Sequence, residues 1–393
     1  MNTWKILIVI LILFTGCKKL YTPPAITAPN SYLVVAGVIN SGSDSTIIKL
    51  SRTVNLASNV SANPVTGAAL TVESDQGTQY QLTEAAQGTY IALNLNLDKS
   101  HKYRLHIKTA NDDYLSDLVP VVTSPPIDSV NFTIQGNGVN IYSNTHDPNN
   151  NTRYYRWDYL ETWIIHPPFD SHFKSNGDTV LLRDFNTDDI YTCWITAGSS
   201  TIVLNSSAKL ARDVIVNNPI TFIPSTSEKL RVEYSILVRQ YALTADAYSF
   251  WENLKKNTEQ LGSIFDAQPS QINGNIHSTV NPSEPVIGYV SIGSVTTSRI
   301  FITNQQLPAW PPEIAATSCT LESCLYEYYP PGSKTPVNQV NEYINYNKGA
   351  TYPLIPVDAI SLPGSPPIGY TAAERDCVDC TLRGTNKQPS FWK

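Results

Sequence analysis

The chain reads as a mostly β protein: an N-terminal antiparallel β-sandwich, immunoglobulin-like or transthyretin-like, followed by a larger β-rich domain with one helix. Three observations predict this. Apolar and polar residues alternate, as where Tyr103, Leu105 and Ile107 alternate with Arg104, His106 and Lys108. A period of two puts one strand face in a core and the other in water. Turn chemistry separates such runs, notably Ser74-Asp75-Gln76-Gly77 before the strand that includes Tyr80 and Leu82. Charged residues make up only 15% of the chain, against 22 Tyr and 27 Pro, well under the roughly 25% usual in soluble domains.

Residues 1–16 read as an export signal: Lys5, then an apolar run from Ile6 to Phe14, then Thr15-Gly16-Cys17. The run is shorter than the ~20 residues a permanent span requires. Cleavage before Cys17 would leave a thiol carrying a diacylglycerol, and several acyl chains anchor where a single chain does not. Residues 17–30, with Pro23, Pro24 and Pro29, are a lipidated tether without periodicity. Removing Lys5 leaves 26 basic residues against 33 acidic, a net of −7. Without clustered Lys and Arg, nucleic acid is not an expected partner.

Residues 31–124 form the sandwich domain. Its first strand is Tyr32 to Ile39, and Ile91, Leu93, Leu95 and Leu97 predict another by alternation; Ser124-Pro125-Pro126 closes the domain. Residues 127–393 form the second domain. Strands are expected where Leu230, Val232, Tyr234, Ile236 and Val238 alternate with polar neighbours and over Val286 to Val295, with a helix near 245–261 between them. Thr244 is its N-cap, and Gly262 stands where a C-cap glycine belongs. From Pro308 onward, Pro, Gly, Tyr and Asn predict long loops pinned by cysteines.

Cys193 stands alone, whereas Cys319 with Cys324 and Cys377 with Cys380 form two close pairs. In an oxidising compartment these four predict two disulfides. Their pairing is open, with bonds between the two pairs favoured because long loops restrict the unfolded chain most. A four-thiolate zinc site is the rival. Asp184, Asn186 and Asp188 resemble the start of a calcium loop, but Asp189 replaces the turn glycine and Ile195 the bidentate glutamate, which favours a solvated loop. His166 and His172, around Pro167, Pro168 and Asp170, read as exposed loop residues rather than metal ligands. Ser291 lies in a strand pattern one residue out of step with a nucleophile elbow. No cofactor is expected.

Aromatics are the remaining candidates. Trp157, Tyr159 and Trp163, with Tyr155 beside them, offer a face for stacking on a glycan, peptide or other small molecule, although such faces are more often core. Tyr326, Tyr328 and Tyr329 are better placed for a partner surface, since loops on a rigid scaffold carry contacts.

Several segments in order carry a resemblance: Tyr32-Leu33-Val34-Val35-Ala36-Gly37, Pro64-Val65-Thr66-Gly67-Ala68, the run from Tyr234 to Leu243 with Phe250-Trp251, Gly274-Asn275-Ile276, Val286-Ile287-Gly288-Tyr289, and Cys377 through Trp392. Together they resemble the uncharacterised lipoproteins of Bacteroidota encoded near TonB-dependent outer-membrane receptors. The resemblance implies an outer-membrane lipoprotein working with such a transporter, and it supplies no catalytic residues. Acidic residues soon after the lipid cysteine accompany surface export in that phylum, whereas Lys18 and Lys19 stand here. The resemblance therefore leaves surface against periplasmic orientation open. The expected function is non-catalytic binding at the outer membrane. Its rivals are an extracellular hydrolase using carboxylates such as Glu161, Asp184 and Asp188, and a structural envelope lipoprotein.

Overall fold

A computed structural model describes residues 31–54, 63–259, 274–310, 319–345 and 353–392. The signal, the tether with Cys17, and Leu261 and Gly262 of the expected helix end lie outside the described residues. The chain is mostly β. Its first eight strands are β1 (Leu33–Asn40), β2 (Thr46–Arg52), β3 (Ala69–Ser74), β4 (Gln79–Ala86), β5 (Thr89–Ala92), β6 (Lys102–Lys108), β7 (Asp113–Ser116) and β8 (Val119–Val122). Tyr103, Leu105 and Ile107 point inward as their alternation requires. The β3–β4 turn is the expected one, with Gly77 at φ +85° donating its N–H to Ser74 O at 3.0 Å.

The expected sandwich is instead a closed barrel. Strand order runs β6-β3-β4-β5-β2-β1, continues through the short strand Ile292–Gly293 to β8, and returns from β8 to β6, which makes a ring of eight. The inserted strand runs parallel to both neighbours, with Ile292 opposite Ile39 of β1 and Val121 of β8. Val286 to Val295 therefore does not form one strand of the second domain. Val286, Val290 and Ile292 bury in the first core, and Ile276–Ser278 extends the sheet at β7. Periodicity marked the apolar run, but nothing local says which sheet it joins.

Three of the motif segments meet at this joint. Val35 N donates to Ile287 O at 2.8 Å and Ile287 N to Leu33 O at 2.9 Å. Gly288, at φ +145°, sits so close to β1 that a Cβ would lie 2.2 Å from Val35 O, which excludes any side chain. Buried Asn275 clamps the segment: its Nδ2 donates to Val290 O at 3.0 Å and its Oδ1 accepts from Val290 N at 2.8 Å. Asn275→Ala leaves both backbone groups unpaired in the core. Urea titration should show a loss of about 2–4 kcal/mol, the cost of two stranded polar groups.

A second departure lies at 93–97. Alternation predicted Leu93 inside, yet it is 69% exposed while Leu95 and Leu97 are buried. Asn94 and Asn96 adopt φ +53° and +45°, a left-handed conformation that asparagine tolerates better than most residues. The ladder ends at Ala92, and the inward set switches from Tyr90 and Ala92 to Leu95 and Leu97.

The second half packs two sheets face to face. One holds β9 (Ile127–Gln135), β10 (Gly138–Asp147) and β16 (Asp213–Pro224); the other holds β11 (Tyr154–Ile165), β14 (Cys193–Gly198), β15 (Val203–Ser206), β17 (Glu233–Leu243) and the strand Val295–Thr303. Val139, Ile141, Ile215 and Ile223 meet Trp157, Tyr234, Ile236 and Val238 between them. The halves are joined by a buried polar knot, not a free linker. Gln240 Nε2 donates to Pro125 O at 2.9 Å, and Ser124 N donates to Ser294 Oγ at 2.9 Å.

The helix α1 spans Ala245–Glu259, and Ala247 N donates to Thr244 Oγ1 at 3.2 Å, the expected cap. Arg156 fixes its position. The guanidinium lies 4.3 Å from the Tyr241 ring centre on β17 and 4.4 Å from that of Trp251 on α1. The C-terminal region is more ordered than long loops would be. Glu322–Leu325, Ile355–Ser361 and Pro367–Ala373 form a three-stranded sheet, and Phe173 and Val180, from the hairpin of β12 (Phe173–Ser175) and β13 (Val180–Leu182), pack against it. Its apolar inner residues, Cys324, Tyr370 and Ala372, lie among prolines and glycines that masked the strand pattern.

Candidate functional site

Beyond that sheet, residues 375–392 run as a strap over the outer face of the five-stranded layer. Trp392 buries against Ile164, Trp194, Val232 and Phe301, and its Nε1 donates to Glu233 Oε2 at 2.9 Å. Trp194 N donates to Thr385 O at 2.8 Å and Thr385 N to Trp194 O at 3.0 Å, so the strap also covers the open edge of β14. A disulfide between Cys193 and Cys380 fixes the crossing.

Cys319 bonds to Cys377, a bond between the two close pairs as favoured. Cys380, however, takes Cys193, and Cys324 is a buried free thiol. Sequence proximity paired the wrong residue, because Cys324 sits on a strand facing Val340, Ile344 and Tyr370. Burial pushes the Cys324 thiol up to about 11. Almost none is thiolate at pH 8, and the thiolate is the reactive form. In folded, unreduced protein, Cys324 should resist iodoacetamide at pH 8 and gain reactivity only on unfolding, as peptide mass spectrometry would show.

Between strap and sheet lies a cleft of about 510 Å³. Ile164, Ile165, Pro167, Pro168 and Val232 give it an apolar floor; Glu228, Arg231, Asp376, Asp379 and Arg383 supply charge, and Cys380 lines one wall. Across its mouth Arg383 on the strap holds Glu228 with bonds of 2.8 and 2.7 Å. The pair is solvated, with side chains 58% and 33% exposed. Asp379 is occupied, accepting from Arg375 Nε at 2.9 Å and from the backbone and hydroxyl of Thr381. Although burial alone would raise its pKa, those bonds hold it below the usual carboxylate value. His166 stacks on Tyr191 at 4.3 Å. Partial desolvation lowers its pKa, which favours the neutral ring at neutral pH.

Behind the cleft wall a chain of contacts runs into the core. Trp163 Nε1 donates to Glu228 Oε1 at 3.4 Å, Lys229 Nζ lies 5.1 Å from the Trp163 ring centre, and Lys229 donates to buried Glu161 at 2.6 Å. Tyr234 OH also donates to Glu161, at 2.8 Å. The turn carrying Glu228 is thereby tied to strands β11 and β17.

The structure separates most of the sequence candidates. Trp157 is fully buried and its Nε1 donates to Gln240 Oε1 at 3.0 Å; Tyr159 and Trp163 are each 7% exposed. The aromatic face of β11 is core, the commoner fate of such a face, and not a surface for stacking on a ligand. Tyr326 packs edge-on to Tyr370 at 6.2 Å, while Tyr328 and Tyr329 face solvent. Asp184 accepts from Asn186 N and Thr187 Oγ1 in its own turn, and Asp188 pairs with Lys174 and Arg183 at 2.9 Å each. Both carboxylates are thus satisfied by protein partners, none of which is shared with Glu161. Among the described residues no group of three or more His, Cys, Asp or Glu is placed to hold a metal. His166 reaches the cleft, whereas His172 pairs with Asp358 at 2.8 Å. Glu228 and Arg383 carried no readable pattern, being 155 residues apart. Unpaired Cys193 was the one signal that could have drawn the strap to β14.

No curated protein matches the chain. It is similar to the crystal structure of chicken CNTN1 FN1-FN3 domains at 10% identity and TM-score 0.18, covering 54% of this chain and 62% of that one. It is likewise similar to the Yersinia pseudotuberculosis adhesin InvE at 15% identity and TM-score 0.15, covering 55% of each. The chain thus spans less than two thirds of either. The sequence model of one family covers residues 18–299, including the barrel, its closing segment and most of the two facing sheets. The chain belongs to that family, the Domain of unknown function (DUF4249).

Proposed function

We propose that the mature protein is a lipid-anchored component of an outer membrane that binds a ligand without transforming it and works beside a TonB-dependent transporter. The observation that carries this reading is the cleft under the strap. It combines an apolar floor with a charged rim, in the size range of small-molecule sites. A disulfide and buried Trp392 brace its strap wall, so little ordering entropy is lost on binding. Exposed Tyr328 and Tyr329 offer a separate surface to a partner. The signal pattern and Cys17 supply the anchor.

The test is purification of the tagged full-length chain from detergent-solubilised outer membrane of its native cells. Mass spectrometry should find an acylated Cys17 at the N-terminus and a receptor barrel co-purifying. Tyr328→Ala with Tyr329→Ala should deplete that barrel while acylation persists. Retention of residues 1–16, or absence of any barrel, would sink this reading.

A further inference from the structure

We propose that the cleft takes a short peptide with free termini and aliphatic side chains, a ligand that carries both charges at once. This deepens the binding reading and rests on it. The Arg383–Glu228 pair links strap to turn across the mouth, yet with side chains 58% and 33% exposed it contributes little to holding them together. A ligand can therefore part it cheaply. Parting leaves a guanidinium on one lip and a carboxylate on the other, both needing partners.

A simple anion would satisfy Arg383 and abandon Glu228; a simple cation would do the reverse. A ligand with a carboxylate and an ammonium replaces one solvated ion pair by two that are shielded on binding. At present only Nη2 of Arg383 reaches Glu228, touching its two oxygens at 2.8 and 2.7 Å; freed from it, the guanidinium can grip a ligand carboxylate with two parallel bonds. Glu228 also stays oriented by the Trp163 indole N–H at 3.4 Å, so its position does not depend on Arg383. The neighbouring carboxylate of Asp379 is consumed by Arg375 and Thr381 and does not compete for the ammonium. His166, stacked on Tyr191, favours its neutral form and adds little charge to the rim.

The floor decides the rest of the ligand. Ile164, Ile165, Pro167 and Val232 offer no side-chain hydrogen bonds, so polyhydroxylated sugars would lose hydration without replacement. Aliphatic side chains gain there by leaving water. A volume of about 510 Å³ accommodates more than a single small residue.

The experiment is isothermal titration of the full mature chain in detergent with Leu-Leu, with N-acetyl-Leu-Leu-amide, and with a neutral oligosaccharide. Leu-Leu should bind, and capping both termini should weaken binding by about tenfold or more, the loss of two charge-assisted contacts. Arg383→Gln and Glu228→Gln should each weaken Leu-Leu by a similar factor. Arg383→Lys, which keeps the charge but not the fork, should fall between wild type and Arg383→Gln. Near-ultraviolet circular dichroism of the Trp194–Trp392 cluster checks that the variants stay folded. Equal binding of free and capped peptide, or indifference to both glutamine variants, overturns the proposal. Sugar binding without peptide binding overturns it while leaving the binding reading intact; binding of neither probe overturns the peptide assignment, and the co-purification result then decides the binding reading by itself.

Discussion

Replacing Cys193 and Cys380 together by serine should free the strap and lower stability by about 3–5 kcal/mol, since the bond closes a loop of 187 residues and chain-entropy estimates grow with loop length. The effect is not purely entropic. Trp392 would leave the pocket formed by Ile164, Trp194 and Phe301, and Arg299 would lose the Phe391 ring, now 3.6 Å from its guanidinium. Limited proteolysis should then cut within residues 383–392 before the sheets open. Tryptophan emission should shift to the red as Trp194 and Trp392 meet water. The Cys319–Cys377 bond remains in this variant and still holds residues up to 377, so cleavage N-terminal to Cys377 as the first event would contradict the strap description.

The second large effect falls on Trp157. Truncation to alanine should cost about 3–5 kcal/mol, the range for deleting a large buried aromatic, and it also strands Gln240 Oε1 without its donor. Gln240 ties the second half to the joint through Pro125 O and Ser124 Oγ, and β17 to β10 through Thr145 Oγ1. Denaturant titration followed by far-ultraviolet circular dichroism and by near-ultraviolet signals should therefore lose stability in both halves. A Trp157→Ala protein of wild-type stability would mean that the ring is a surface for ligands after all. Trp157→Phe should recover part of the packing but not the hydrogen bond.

What could be read in advance followed from how local each signal was. Period-two alternation placed β6 and β17 with the correct faces inward, and Thr244 capped α1, because those signals sit within a few residues of their effect. The same alternation misled at Leu93, where two asparagines in left-handed conformations reverse the faces without altering the hydrophobic spacing. Barrel closure was hidden because Ile292 pairs with Ile39, more than 250 residues away, and short apolar runs carry no address. The cleft was hidden for a similar reason. His166 was visible as a loop residue, yet Glu228 and Arg383 meet it only through a strap whose covalent anchor, Cys193, had no evident mate. Aromatic crowding on β11 was legible as a pattern, and its burial in the core follows from a second sheet that the pattern does not mention.

The late arrival of Ile292–Gly293 in the barrel has a consequence for biogenesis. A polypeptide made from its N-terminus exposes β1 more than 250 residues before the segment that will lie along it. Throughout that interval one flank of β1 presents unsatisfied amides and carbonyls, as β8 does on its facing side. The nascent barrel thus keeps an adhesive flank until residue 293 has emerged, and it cannot mature as a unit before the chain beyond it is under way.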